Sequence, residues 1–113
     1  MKLWLDDQVN DASAPGRHAP IGWSGCSTAM QACRLIKQGK VTAISLDHDL
    51  GENVLGNGYT VVRFIEKLVF EGKIDCPAWE IHSANPVGRK NMVLGMISAE
   101  RIFYSRKNKC TPS

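Results

Sequence analysis

The chain has 113 residues, of which 43% are hydrophobic and 22% charged, and a net charge of +3. This is enough for one core and too little for two. The weak, scattered positive charge makes no case for a duplex-DNA binder, although it would not repel an anionic ligand.

Lys2-Leu3-Trp4-Leu5 is a short apolar run that stops at Asp6-Asp7 and reads as a buried first strand. Asn10 to Gly22 carries Asp, Ser, Pro and Gly, which is loop chemistry, and it is long for a connection. A short strand is expected within Ile21 to Cys26. Ser27 or Thr28 then caps a helix whose apolar positions Ala29, Met30, Ala32, Cys33, Leu35 and Ile36 follow helical spacing, ended by Gly39. Val41 to Leu46 is rich in strand formers. A second helix is expected over Tyr59 to Phe70, closed by Gly72. Ala78 to Ile81 is a further apolar stretch, and Asn85-Pro86 opens a third helix through Met92, Val93, Met96 and Ile97. Ile102-Phe103-Tyr104 reads either as a short last strand or as the tail of that helix.

Strands alternating with helices imply a parallel sheet covered by helices. We expect one domain over residues 1–113, with 105–113, holding Arg106, Lys107 and Lys109, as a flexible basic tail. Cys26, Cys33, Cys76 and Cys110 form no CxxC pair and no zinc-type spacing. The start MKLWLDDQ turns acidic too early for a secretory signal. No apolar run approaches the roughly 20 residues that cross a bilayer. A reducing, cytoplasmic compartment away from membranes is therefore expected, with Cys33 in the core and Cys110 a free thiol. The aromatics Trp4, Trp23, Trp79, Phe64 and Phe70 are expected in the core.

Three apolar runs end in polar clusters: Leu5 into Asp6-Asp7, Leu46 into Asp47-His48-Asp49, and Ile81 into His82-Ser83. Ligands of open parallel sheets bind beyond the carboxyl ends of the strands, where these clusters would converge. Crowded carboxylates hold a proton or a cation. Oxygen-only surroundings suit Mg²⁺ or Mn²⁺, with Asp6, Asp7, Asp47 and Asp49 as ligands; the competing reading is that each acid caps a helix or solubilises a loop. In HSANPVGRKN, Asn85 can cap the third helix and Pro86 fits its first turn. N–H groups near Val87, Gly88 and Arg89, with the Arg89 and Lys90 charges, would then face a phosphate, unless the segment is simply a well-capped helix. His48 and His82 are the candidates for proton transfer, against a structural role for each. No nucleotide-binding glycine fingerprint is present.

Taken together, LWLDD, ISLDHDLG, the Gly-Tyr pair and HSANPVGRKNM resemble the cyclic-phosphate processing receiver-like domain, a relative of response-regulator receivers. The resemblance runs from Met1 to about Ile97. It implies an α/β receiver-like (flavodoxin-like) doubly wound parallel sheet with flanking helices; the ambiguous Ile102-Phe103-Tyr104 segment would make the last strand reduced or irregular in this chain. It also implies that Asp6 and Asp7 correspond to the receiver acidic pair that holds Mg²⁺. Asp47 would correspond to the phosphoacceptor, and Ser83, before Ala84, to the hydroxyl that contacts the phosphoryl group. The receiver lysine after strand 5 has no clear counterpart, and His48, Asp49, His82 and Asn85-Pro86 stand outside the ordinary receiver set. The leading expectation is a metal-dependent phosphodiesterase acting on a cyclic nucleotide or on an RNA end bearing a 2′,3′-cyclic phosphate. In it, Asp47, His48, His82 and Ser83 would act in catalysis, and Ser83, Asn85, Gly88 and Arg89 would hold the phosphate. The alternatives are a non-catalytic binder, sensor or sponge for such a ligand, and a divergent receiver switch phosphorylated on Asp47. A reduced last strand would leave an edge that a second copy could cover as a homodimer.

Overall fold

The structure is a computed structural model that describes residues 1–7, 18–47, 57–83 and 85–109. The elements in chain order are β1 (Lys2–Leu5), β2 (Ser24–Cys26), α1 (Ala29–Lys37), β3 (Ala43–Leu46), α2 (Gly58–Phe70), β4 (Ala78–Ile81) and α3 (Pro86–Lys109). The four strands form one sheet in the order β2-β1-β3-β4, and every pairing is parallel. This is the parallel sheet covered by helices expected from the alternation of elements, and it agrees with the receiver-like α/β fold that the resemblance implies.

Local chemistry sets the helix ends. Thr28 caps α1, its hydroxyl accepting from Gln31 N–H at 3.2 Å. Asn57 and Thr60 form a reciprocal capping box at the start of α2. Gly39 and Gly72 lie just past α1 and α2 with φ of 77° and 73°, the left-handed conformation that glycine adopts without steric cost.

Parallel register puts Leu3 beside Ile44 and Leu5 beside Leu46, with Trp79 and Ile81 next in the same rows. With a side-chain period of two, these residues share one face of the sheet. There Leu3, Leu5, Ile44 and Leu46 are fully buried under Ile36, Val61, Ile65, Met92 and Met96 from the three helices. The crossovers β2-α1-β3 and β3-α2-β4 run in the same direction across the sheet, so right-handed connections place α1 and α2 on the same side. α3 packs against α2. Among the described residues, all three helices therefore cover one face. The other face presents Lys2, Trp4, Ser45 and Glu80.

The third helix continues well past Ile97. Ile102 and Phe103 pack against the core from within α3. Arg106 donates to the carbonyls of Val69, at 3.1 Å, and Phe70, satisfying the open end of α2. Ile102-Phe103-Tyr104 is thus the tail of the helix and not a strand, and no fifth strand occurs among the described residues. Residues 105–109, expected at the start of a basic tail, are helical. No helix of the described residues is long and apolar enough to cross a membrane.

Cys26, Cys33 and Cys76 are free thiols. Burial, reinforced by the nearby Cys33, pushes the Cys26 thiol up to about 12. At pH 8 its thiolate fraction is then about 10⁻⁴, against roughly a quarter for an ordinary exposed cysteine. Native protein treated with iodoacetamide at pH 8 should leave Cys26 unmodified over a time that fully labels the urea-unfolded chain, as read by peptide mass spectrometry. Equal labelling in the two samples would contradict the burial of Cys26 at the end of β2.

An acidic cluster at the carboxyl edge of the sheet

The backbone ladder runs one residue beyond the strand ends. Asp6 N–H donates to Cys26 O at 3.0 Å, Asp47 N–H to Leu5 O at 3.0 Å, and His82 N–H to Leu46 O at 2.9 Å. These three bonds bring Asp6, Asp47 and His82 into line across β1, β3 and β4. Each follows a residue that faces the helices, so alternation turns all three toward the opposite face. One described residue of each expected polar cluster, Asp6, Asp47 and His82, thus lies at the same edge of the sheet.

Asp6, Asp7 and Asp47 each offer a carboxylate oxygen to a common point, the three atoms lying within 4.8 Å of one another. Asp6 is completely buried and Asp47 is 3% exposed; Asp7 is the most exposed of the three. Carboxylates crowded in this way repel unless positive charge is near. Three oxygen donors without sulfur fit a hard divalent cation such as Mg²⁺, which takes one or a few carboxylates and keeps waters for the rest. Asp49 and His48, expected to join the site, lie outside the described residues.

His82 is 13% exposed on its side chain, and its described contacts include Asp6, Ser45 and Trp4. Its Nε2 lies 3.2 Å from Asp6 Oδ2 and its Nδ1 2.8 Å from Ser45 Oγ. Its ring stacks on Trp4, with centroids 4.1 Å apart and planes within 8°. Trp23 meets Trp4 edge to face at 6.1 Å. Two members of this network were not anticipated as site residues. Ser45 sits inside an apolar run, and Trp4 was expected in the core; the signal available was alternation, which puts both on the face that Asp6 and Asp47 share. Ser45 is also small enough for the rings of Trp4 and His82 to meet above β3.

The turn after β4 is built by side-chain caps. Ser83 Oγ accepts from Asn85 N–H at 3.2 Å, and Asn85 Oδ1 accepts from Gly88 N–H at 2.9 Å. The N–H of Arg89 donates to Asn85 O at 2.8 Å, the first bond of α3. The amides of Gly88 and Arg89, expected to face an anion, are therefore engaged within the helix start, as the capped-helix reading anticipated. The Arg89 guanidinium donates to Ile81 O at the end of β4. Ser83 is buried at 7% exposure, beside His82.

The start of α2 is seated against the backbone of Asp47. A Cβ on Gly58 would fall well inside contact distance of the Asp47 carbonyl and 2.7 Å from Met92 Cε. Elsewhere, a groove of about 590 Å³ on the helix layer is lined by Cys33, Phe64, Phe70 and Ile102 among others, and by none of the acidic or histidine residues of the site.

In comparison with known proteins, the family model described as the cyclic-phosphate processing receiver domain matches residues 1–98. No curated protein matches the chain. The matched region contains every residue of the acidic edge and ends within α3, before the distal turns that clasp α2.

Proposed function

The chain belongs to the cyclic-phosphate processing receiver domain family, and from this premise we propose that its acidic edge binds a cyclic phosphate with a divalent cation and opens the ring. The observation that carries the reading is the meeting of Asp6, Asp7 and Asp47 within 4.8 Å at the carboxyl edge of the sheet. These three residues would hold Mg²⁺ or Mn²⁺. The bound ion would supply polarisation of the phosphoryl oxygens and a more acidic water.

The chain's own groups complete the reading. Ser83 uses its oxygen to accept from Asn85, which leaves its O–H to donate to a phosphate oxygen. Arg89 is held at the end of β4 by its bond to Ile81 O and brings positive charge to the same turn. The ligand is a nucleotide or an RNA end bearing a cyclic phosphate.

Binding without turnover is the second reading, and one observation favours it. Both ring nitrogens of His82 are engaged, at 2.8 and 3.2 Å, so its geometry suits holding more than proton transfer.

The deciding experiment follows the ring by phosphorus NMR. Purified protein with Mg²⁺ or Mn²⁺ is given nucleoside 2′,3′-cyclic phosphates, a short RNA ending in a cyclic phosphate, and cyclic mono- and dinucleotides. Ring opening that disappears with Asp47→Asn and with chelator is the expected result. A shifted resonance from intact ligand would replace the enzyme by a binder. Neither opening nor binding would remove the cyclic-phosphate reading.

A further inference from the structure

We propose that His82 is a positioning residue that fixes the Asp6 carboxylate for cation binding, in a relay running from Ser45 through His82 to Asp6 and braced by Trp4. The inference rests on the cation-site reading above.

The direction of the relay follows from the donor inventory. An ionised carboxylate only accepts, so the bond between His82 Nε2 and Asp6 Oδ2 at 3.2 Å requires the proton on Nε2. The other nitrogen of a neutral ring then accepts, and Ser45 Oγ, 2.8 Å from Nδ1, donates to it. Ser45 is completely buried, so its hydroxyl is committed inside the protein. The ring is also fixed in rotation, because its face lies on Trp4 at 4.1 Å. Trp4 is in turn backed by Trp23.

Such a construction has a physical purpose at a cation site. A carboxylate that must turn and desolvate when the ion arrives loses affinity, whereas one already oriented by an outer hydrogen bond does not. Asp6 is completely buried and is tied through Oδ2 to a ring that itself cannot rotate. Its backbone is held as well, through the bond to Cys26 O. Outer partners of this kind are typically worth about 10–100-fold in metal affinity.

The test measures Mn²⁺ affinity of the full chain by calorimetry, with thermal melts in chelator as the folding control. His82→Phe keeps a ring against Trp4 and removes both nitrogens; His82→Gln keeps a donor near the position of Nε2; Ser45→Ala keeps the histidine and removes the far end of the relay. The expected result is a loss of about 10–100-fold for His82→Phe, near wild-type affinity for His82→Gln, and an intermediate loss for Ser45→Ala. If His82→Phe does not fold, the comparison of Ser45→Ala and His82→Gln with wild type carries the test. Wild-type affinity in Ser45→Ala, or equal losses in His82→Gln and His82→Phe, would reduce the histidine to packing and overturn the proposal. Failure of the wild type to bind Mn²⁺ at all would instead remove the cation-site reading on which it stands.

Discussion

Gly58→Ala is expected to destabilise the protein by about 3 kcal/mol, the upper end of the usual cost of overpacking, and to lower the melting temperature by roughly 10–15 °C. On helix propensity alone the substitution would be favourable, since alanine exceeds glycine by about 1 kcal/mol inside a helix. Packing decides the sign. The added Cβ would collide with the carbonyl of Asp47 and come within 2.7 Å of Met92 Cε. The Met92 side chain can change rotamer; the Asp47 backbone cannot move cheaply, because its N–H is bonded to Leu5 O in the sheet ladder. Relief therefore requires α2 to lift from the end of β3, which opens the contacts of Val61, Val62 and Ile65 with the core. Gly95→Ala provides a graded comparison. Its Cβ would meet the Val62 side chain, with Cγ1 at 2.5 Å and Cβ at 3.9 Å, a group with some freedom to yield, so its cost should be smaller. Urea melts of the two variants measure both effects. A Gly58→Ala protein as stable as the wild type would mean that the start of α2 is not seated against Asp47.

The parts of the fold that were legible in the sequence are those fixed by local pattern. β1, β3 and β4 are apolar runs that stop at a charged or polar residue, and the stops mark the carboxyl ends of the strands. Once parallel pairing is granted, Asp6, Asp47 and His82 must fall on one edge. The length of α3 was not legible, because Ile102 and Phe103 suit a strand or a helix equally well. What decides it is distant in sequence: the apolar side chains pack on the core, and Arg106 reaches the carbonyls of Val69 and Phe70. The roles of Ser45 and Trp4 were hidden for a related reason. Each looks like part of a buried strand, and only the strand order shows that Trp4 and His82, on strands separated by β3, meet over a small residue. The position of His82 at the end of β4 was legible; its tie to Asp6 through 76 positions of sequence was not. His48 and Asp49 fall outside the described residues.

Asp47→Asn should have opposite effects with and without a divalent cation. In chelator, the wild type carries the Asp6 and Asp47 carboxylates buried within 4.8 Å of each other. At that separation two charges repel by about 3.5 kcal/mol for an effective dielectric of 20. The amide removes one charge at nearly constant volume and keeps the backbone bond to Leu5. Against this stands the cost of placing an NH₂ where a buried carboxylate oxygen stood, about 1–3 kcal/mol if the group is left unmatched. The repulsion is the larger quantity, so the variant should melt above the wild type in chelator. With Mg²⁺ the order reverses. A cation that binds only the folded state adds about 2.7 kcal/mol at 100 times its Kd, and the variant, short of one anionic ligand, should gain little. Melts of both proteins with chelator and across a Mg²⁺ series would show the curves crossing. A wild type that is the more stable in chelator, and that gains no more from Mg²⁺ than the variant, would make Asp47 a structural acid whose hydrogen bonds outweigh the repulsion. The close approach of the three carboxylates would then be a consequence of the sheet's register and not a place for an ion.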